Sequence, residues 1–208
     1  MKRIAVLSRK GGTGKTTVAG NLAWEFSRTT PVRLIDADDQ EHAFRWAEGW
    51  DGVTVDRIID PAQIKDALND RGGRGLTIVD CPAHDPNVAA AAVGGADLIV
   101  IPLSAGIFDL WAITPLVGVL VKAVPILAVL TRVTSGSLPS AQAREVLVAQ
   151  GVRVASTALV NRVAHVQAQV HGKPISVYEP KGAAARELQA LAKEITSLLQ
   201  MEGSNGRW

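Results

Sequence analysis

Apolar residues along this chain fall into short runs separated by polar, helix-spaced stretches. The runs Ile4 to Leu7, Val32–Ile35, Leu76–Val79, Leu98–Ile101, Ile126–Leu130 and Ala158–Val160 are bounded by Gly, Pro, Asp or Thr. Runs of this kind suit parallel strands covered on both faces. Between them, Val18, Leu22, Ala23 and Phe26 recur at helical spacing within 17–28. Further helical segments are expected near 40–49, 61–70, 87–94, 108–122 and 138–150. The last helix, 182–200, carries Leu188, Leu191, Ala192, Ile195, Leu198 and Leu199 as one stripe. Alternating strand and helix predict an α/β fold, a doubly wound and mostly parallel sheet, with ligands at the carboxyl ends of its strands.

The first strand–helix junction carries the chemistry. It reads Arg9-Lys10-Gly11-Gly12-Thr13-Gly14-Lys15-Thr16-Thr17. Glycines let backbone N–H groups point inward, and the following helix adds its positive end, so the string predicts a phosphate cradle. Lys15 is then placed for the β- and γ-phosphates of ATP and Thr16 for Mg²⁺. The common P-loop pattern asks for Gly where this chain has Arg9, and a second lysine, Lys10, stands beside the glycines. Two acidic strand ends follow. Asp36, Asp38 and Asp39 leave the second apolar run, and Asp80 ends Leu76-Thr77-Ile78-Val79, the Walker B arrangement for holding Mg²⁺ through water.

The loop's K-G-G-x-G-K-T-T form resembles the deviant Walker A motif of the ParA/MinD family of dimerising ATPases, closest to the short ParA plasmid-partition proteins. Asp36-Ala37-Asp38-Asp39-Gln40 is similar to the family's D-x-D-P-Q, with Asp39 in place of the proline. Ala96 to Leu103 is similar to its A-D-x-v-i-i-P strand, and Gly172 to Pro180 to the loop before its final helix. The resemblance implies several roles. Lys10 reaches phosphates in a facing subunit, Asp38 positions the hydrolytic water, and Asp36 lies near the metal. Thr131, Arg132 and Pro180 lie beside adenine, and Ser104 to Trp111 contact the partner subunit. Phe108 and Trp111 are thus either core or subunit-contact residues. Gly11, Gly12, Thr13, Gly14 and Thr17 complete the nucleotide-binding set.

Composition and charge narrow the picture further. At 208 residues and 47% hydrophobic the chain can bury one sizeable core, so a single domain over 1–200 is expected, with a disordered tail at 201–208. No apolar run is long enough to span a bilayer, and the tail does not form a basic amphipathic helix, which argues against a membrane partner. The P-loop begins by residue 10, so the DNA-binding domain that precedes it in larger partition ATPases is not expected. The single Cys81 argues against a disulfide and against a bridging iron–sulfur cluster, and is read as a packing residue. His84 is read as incidental, and His42, His165 and His171 lack metal-ligand spacing.

Residues 1–104 carry 12 Lys+Arg against 14 Asp+Glu (−2), and residues 105–208 carry 10 against 6 (+4). The basic half supplies the candidate DNA contacts Arg144, Arg153, Arg162, Lys173, Lys181, Arg186 and Lys193, with Arg162 and Arg186 foremost. The resemblance implies a cytoplasmic, nucleoid-associated ATPase that dimerises on ATP and binds DNA non-specifically. It further implies segregation of plasmid DNA, or positioning of cargo, with a centromere-binding ParB-type or ribbon-helix-helix adaptor that stimulates hydrolysis. The alternatives are a MinD-like positioning ATPase and a metabolic ATP-dependent P-loop enzyme of related fold.

Overall fold

The computed structural model describes residues 1–70, 75–120, 124–134 and 138–204. Seven parallel strands form one sheet: β1 (Lys2–Val6), β2 (Val32–Asp36), β3 (Val53–Arg57), β4 (Leu76–Asp80), β5 (Leu98–Leu103), β6 (Ile126–Leu130) and β7 (Arg153–Val154). Their order is β3-β2-β4-β1-β5-β6-β7. The strand carrying the P-loop is therefore central, at the point where the order reverses, which is where open α/β sheets bind ligands.

Helices cover both faces. Side chains alternate along β1, so Ile4 and Val6 join one core while Ala5 and Leu7 join the other. The first core is closed by α1 (Lys15–Ser27), α2 (His42–Ala47), α8 (Ile175–Tyr178) and α9 (Ala183–Ser204). The second is closed by α3 (Pro61–Asn69), α4 (Pro86–Gly95), α5 (Ile107–Leu120) and α6 (Leu138–Ala149). A further helix, α7 (Val163–Val170), lies between β7 and α8. One local device starts two of these helices: Asp60 before Pro61 and Asp85 before Pro86 each accept two first-turn N–H bonds, at 2.7 and 3.4 Å and at 2.8 and 3.1 Å.

Several elements depart from the sequence-based expectation, among them the four-residue α8, which falls inside the stretch expected as a loop. The edge strand β3 lies in a stretch that showed no continuous apolar run, because its half-exposed V-T-V-D-R covers only one face. The strand expected at 158–160 is reduced to a single bridge, Val133 with Val160, and pairing at that edge occurs instead at Arg153–Val154. Side chains end the ladder there. The Arg144 guanidinium bonds the carbonyls of Val154 (3.3 Å) and Ala155 (2.7 Å), and Glu194 takes the Ser156 N–H at 3.0 Å. Helix α7 was not expected either, since its exposed valines 163, 166 and 170 blur the apolar stripe. Helix α9 continues four residues past the expected boundary at 200, and 205–208 lie outside the described residues.

Candidate functional site

The P-loop is built by backbone geometry. Gly14 caps α1 at φ 90° and Gly12 sits at φ 74°, both in the left-handed region where a side chain is strained. No side chain caps α1, so its first N–H groups are left for a ligand. The loop is braced from β6: the Thr131 hydroxyl donates to the Thr13 carbonyl at 2.8 Å, and both residues are buried. Lys15 is also buried, with Nζ 3.4 Å from the Lys10 carbonyl. In front lies a cleft of about 880 Å³, lined by Gly11, Gly12, Gly14, Lys15, Thr16 and Thr17 together with Asp38, Asp39, His84 and Arg132.

The two acidic strand ends meet beside the loop because β2 and β4 pair in register, Asp36 opposite Asp80. Asp80 is buried and its Oδ2 accepts the Thr16 hydroxyl at 2.7 Å, while its Oδ1 is buried without a partner. Burial, with Asp36 adding like charge, pushes its carboxyl up to about 7. A hydroxyl and a carboxylate with one unmatched buried oxygen fit Mg²⁺, which is held by one or two carboxylates plus phosphates. Among the described residues no group of three or more His, Cys, Asp or Glu is placed to hold a metal ion by itself.

Asp36 has a different part. Its Oδ1 accepts the Asp38 N–H at 3.0 Å and its Oδ2 the Phe44 N–H at 2.8 Å, and burial raises its pKa. Both oxygens are thus engaged in fixing the turn into α2, and Asp36 is not among the residues lining the cleft. That turn presents Asp38 to the cleft, with the Gln40 N–H on its Oδ1 at 3.0 Å. Cys81 is fully buried and its thiol is pushed up by burial, as a packing role requires.

Lys10 does not line its own cleft. Its Nζ lies 2.8 Å from Asp109 Oδ1 in α5, with the lysine side chain 55% exposed and the aspartate 4%. The Ser104 hydroxyl donates to the other oxygen of Asp109. On either side of Asp109, Phe108 and Trp111 are 71% and 64% exposed and meet edge to face, with centroids 5.7 Å apart. They are surface residues, which resolves the alternative left open by the sequence.

The expected adenine residues separate. Arg132, at φ 53°, and Thr131 line a small cavity of about 100 Å³ beside the P-loop, with Thr17, Asn161, Arg162, His165 and Gln169. Pro180 is exposed and lines neither this cavity nor the main cleft. Asn161, His165 and Gln169 carried no motif, and only the return of α7 to the P-loop brings them here. Of the basic residues, Arg162 is paired with Glu187 at 2.7 Å and Arg144 donates to the Val154 and Ala155 carbonyls, so both already have partners within the chain. Arg153, Lys173, Lys181, Arg186 and Lys193 are exposed.

Comparison with known proteins agrees with this geometry. Residues 4–175 match the family model described as the CobQ/CobB/MinD/ParA nucleotide binding domain. The chain is 33% identical over 206 residues to the maintenance of carboxysome distribution protein A of Gloeobacter kilaueensis, covering 96% of this chain and 94% of that protein. It is 26% identical to the chromosome-partitioning ATPase Soj of Thermus thermophilus, covering 96% and 97%. The septum site-determining protein MinD of Pyrococcus horikoshii, solved with Mg-ADP, superposes with a TM-score of 0.79 at 20% identity, covering 97% and 98% of the two chains. With a P-loop, an acidic strand end and a hydroxyl arranged for Mg²⁺ and ATP, the chain belongs to the CobQ/CobB/MinD/ParA nucleotide binding domain family and is an ATPase of the ParA/MinD kind.

Proposed function

We propose that this ATPase positions plasmid DNA or another cargo, closing into a dimer on ATP, binding DNA without sequence preference, and letting go when an adaptor protein stimulates hydrolysis. The observation that carries the reading is Lys10, a P-loop lysine facing away from its own cleft on a rim where Phe108 and Trp111 are exposed. Such a lysine serves phosphates in a facing copy, and two exposed aromatics beside it suit a subunit contact. Two relatives whose names concern carboxysome distribution and chromosome partitioning support the positioning role.

Lys15 and the first-turn N–H groups of α1 would bind the phosphates, and Thr16 with Asp80 would hold Mg²⁺, which would supply positive charge for phosphoryl transfer. Asp38 orients the attacking water. Lys10 of each copy adds positive charge at the other's phosphates, so ATP acts as a dimerisation ligand. The exposed Arg153, Lys173, Lys181, Arg186 and Lys193, doubled in the dimer, meet DNA phosphates, which carry no sequence information.

The test is sedimentation and retention on random-sequence DNA with ATP and with ADP. A dimer and salt-sensitive retention are expected with ATP alone. Retention that is equal in ADP, or indifferent to salt, overturns the DNA-carrier reading.

A further inference from the structure

Thr17 stands at a junction. It lines the main phosphate cleft and also the small cavity beyond it, where Arg132, Asn161 and His165 gather. Lys15 and Thr16 precede it on the side of the β- and γ-phosphates and the metal. Thr17 is therefore beside the phosphate that joins the nucleoside, the α-phosphate of ATP. Its hydroxyl is met by a side chain 152 residues away: Gln169 of α7 brings Nε2 to 2.9 Å from Thr17 Oγ1. A second clamp runs parallel to the first. Asn21 bonds the Thr17 carbonyl through Nδ2 at 2.7 Å and accepts the Ile175 N–H at 2.8 Å.

We propose that Gln169 is a positioning residue for nucleotide binding, holding the Thr17 hydroxyl so that its proton is directed at the α-phosphate. A helical threonine ordinarily splits between rotamers, one of them donating back to the carbonyl a turn earlier. Here the Thr13 carbonyl, the acceptor a turn earlier, already takes the Thr131 hydroxyl at 2.8 Å, so the two hydroxyls would have to share it. By donating to Thr17 Oγ1, the Gln169 amide occupies one of its two lone pairs and fixes the side chain with its O–H free to donate. Gln169 is half-buried, and its bond to the phosphate loop runs through Thr17.

The α-phosphate is common to ATP and ADP, so the role has a signature that a general loss of packing lacks. Gln169→Met keeps length and removes the donor. It is expected to weaken ATP and ADP alike by about three- to tenfold, the worth of one neutral hydrogen bond. In steady-state hydrolysis the loss falls on KM. The variant is measured by calorimetry in the wild-type and Thr17→Val backgrounds, with a nucleotide-free thermal midpoint as the folding control. In the Thr17→Val background, replacing Gln169 is expected to change affinity less than twofold, since there is no hydroxyl left to orient. Gln169→Glu, which replaces the donor by a charged acceptor near the phosphate, is expected to lose more than Gln169→Met. Unchanged nucleotide affinity in either variant, a full loss that persists with Thr17→Val, or a loss confined to ATP overturns the proposal.

Discussion

Removing the Lys10 side chain perturbs two states at once, and the structure separates the effects. In the single chain, Lys10 Nζ is the only partner of Asp109 Oδ1 among the described residues. Lys10→Ala leaves that buried oxygen unmatched, at a cost of about 1–3 kcal/mol for a stranded polar group. The lysine end is more than half exposed, and water reaching the gap lowers the figure to about 1–2 kcal/mol. For a chain of this length that is roughly 3–6 °C in the thermal midpoint. Asp109→Asn removes the stranded charge, so in that background Lys10→Ala is expected to cost almost nothing. The assay is thermal or urea unfolding of the four proteins without nucleotide, then sedimentation with ATP. Equal losses in both Asp109 backgrounds refute the pair. Lys10→Ala that still dimerises with ATP as the wild type does refutes the proposed reach of Lys10 to the phosphates of a facing copy.

Three more outcomes follow from the geometry. Asp38→Ala is expected to keep ATP and the dimer while losing hydrolysis, since a water-orienting group acts on the transition state; equal loss of affinity and turnover, read by calorimetry and phosphate release, puts Asp38 in the metal shell instead. Gly75→Ala forces a Cβ to 2.4 Å from the Pro31 carbonyl oxygen at φ 125°, and should destabilise by about 2 kcal/mol or more, whereas Gly94→Ala, with open space in α4, should gain about 0.5–1 kcal/mol in urea unfolding. Burial, with Arg162 nearby and Glu187 opposing, lowers the His165 pKa below the ordinary histidine value of 6.5. The stability this implies is present above about pH 6.5 and lost as pH falls through the lower folded value, so His165→Phe should flatten the dependence of the unfolding midpoint between pH 8 and pH 5.

How much could be read from the sequence depended on whether a feature was local. The P-loop, Asp80 and the strands that carry them are contiguous strings, and each was found where expected. Asp36 was legible as an acid near the site but not as a turn-former, because its partners are backbone N–H groups of Asp38 and Phe44, which no side-chain pattern encodes. Gln169 and Asp109 gave no signal, since their partners lie 152 and 99 residues away. Arg162 looked free for DNA because Glu187, which neutralises it, sits a helix away in the sequence. Pairing of β7 stops early for the same reason: the Arg144 and Glu194 contacts that end it come from other helices.

The brace between Thr131 and Thr13 has a consequence for timing. A glycine loop tied at 2.8 Å to the residue that follows β6, two strands over from its own β1, has less freedom to give up when a ligand arrives. Capture of a nucleotide then needs no slow ordering of the loop, and ATP and ADP should enter at similar bimolecular rates. In the proposed dimer, the discrimination between them is postponed to what happens afterwards, when a second copy either finds a γ-phosphate or does not. The clock of such a protein runs on its encounters, not on its loading.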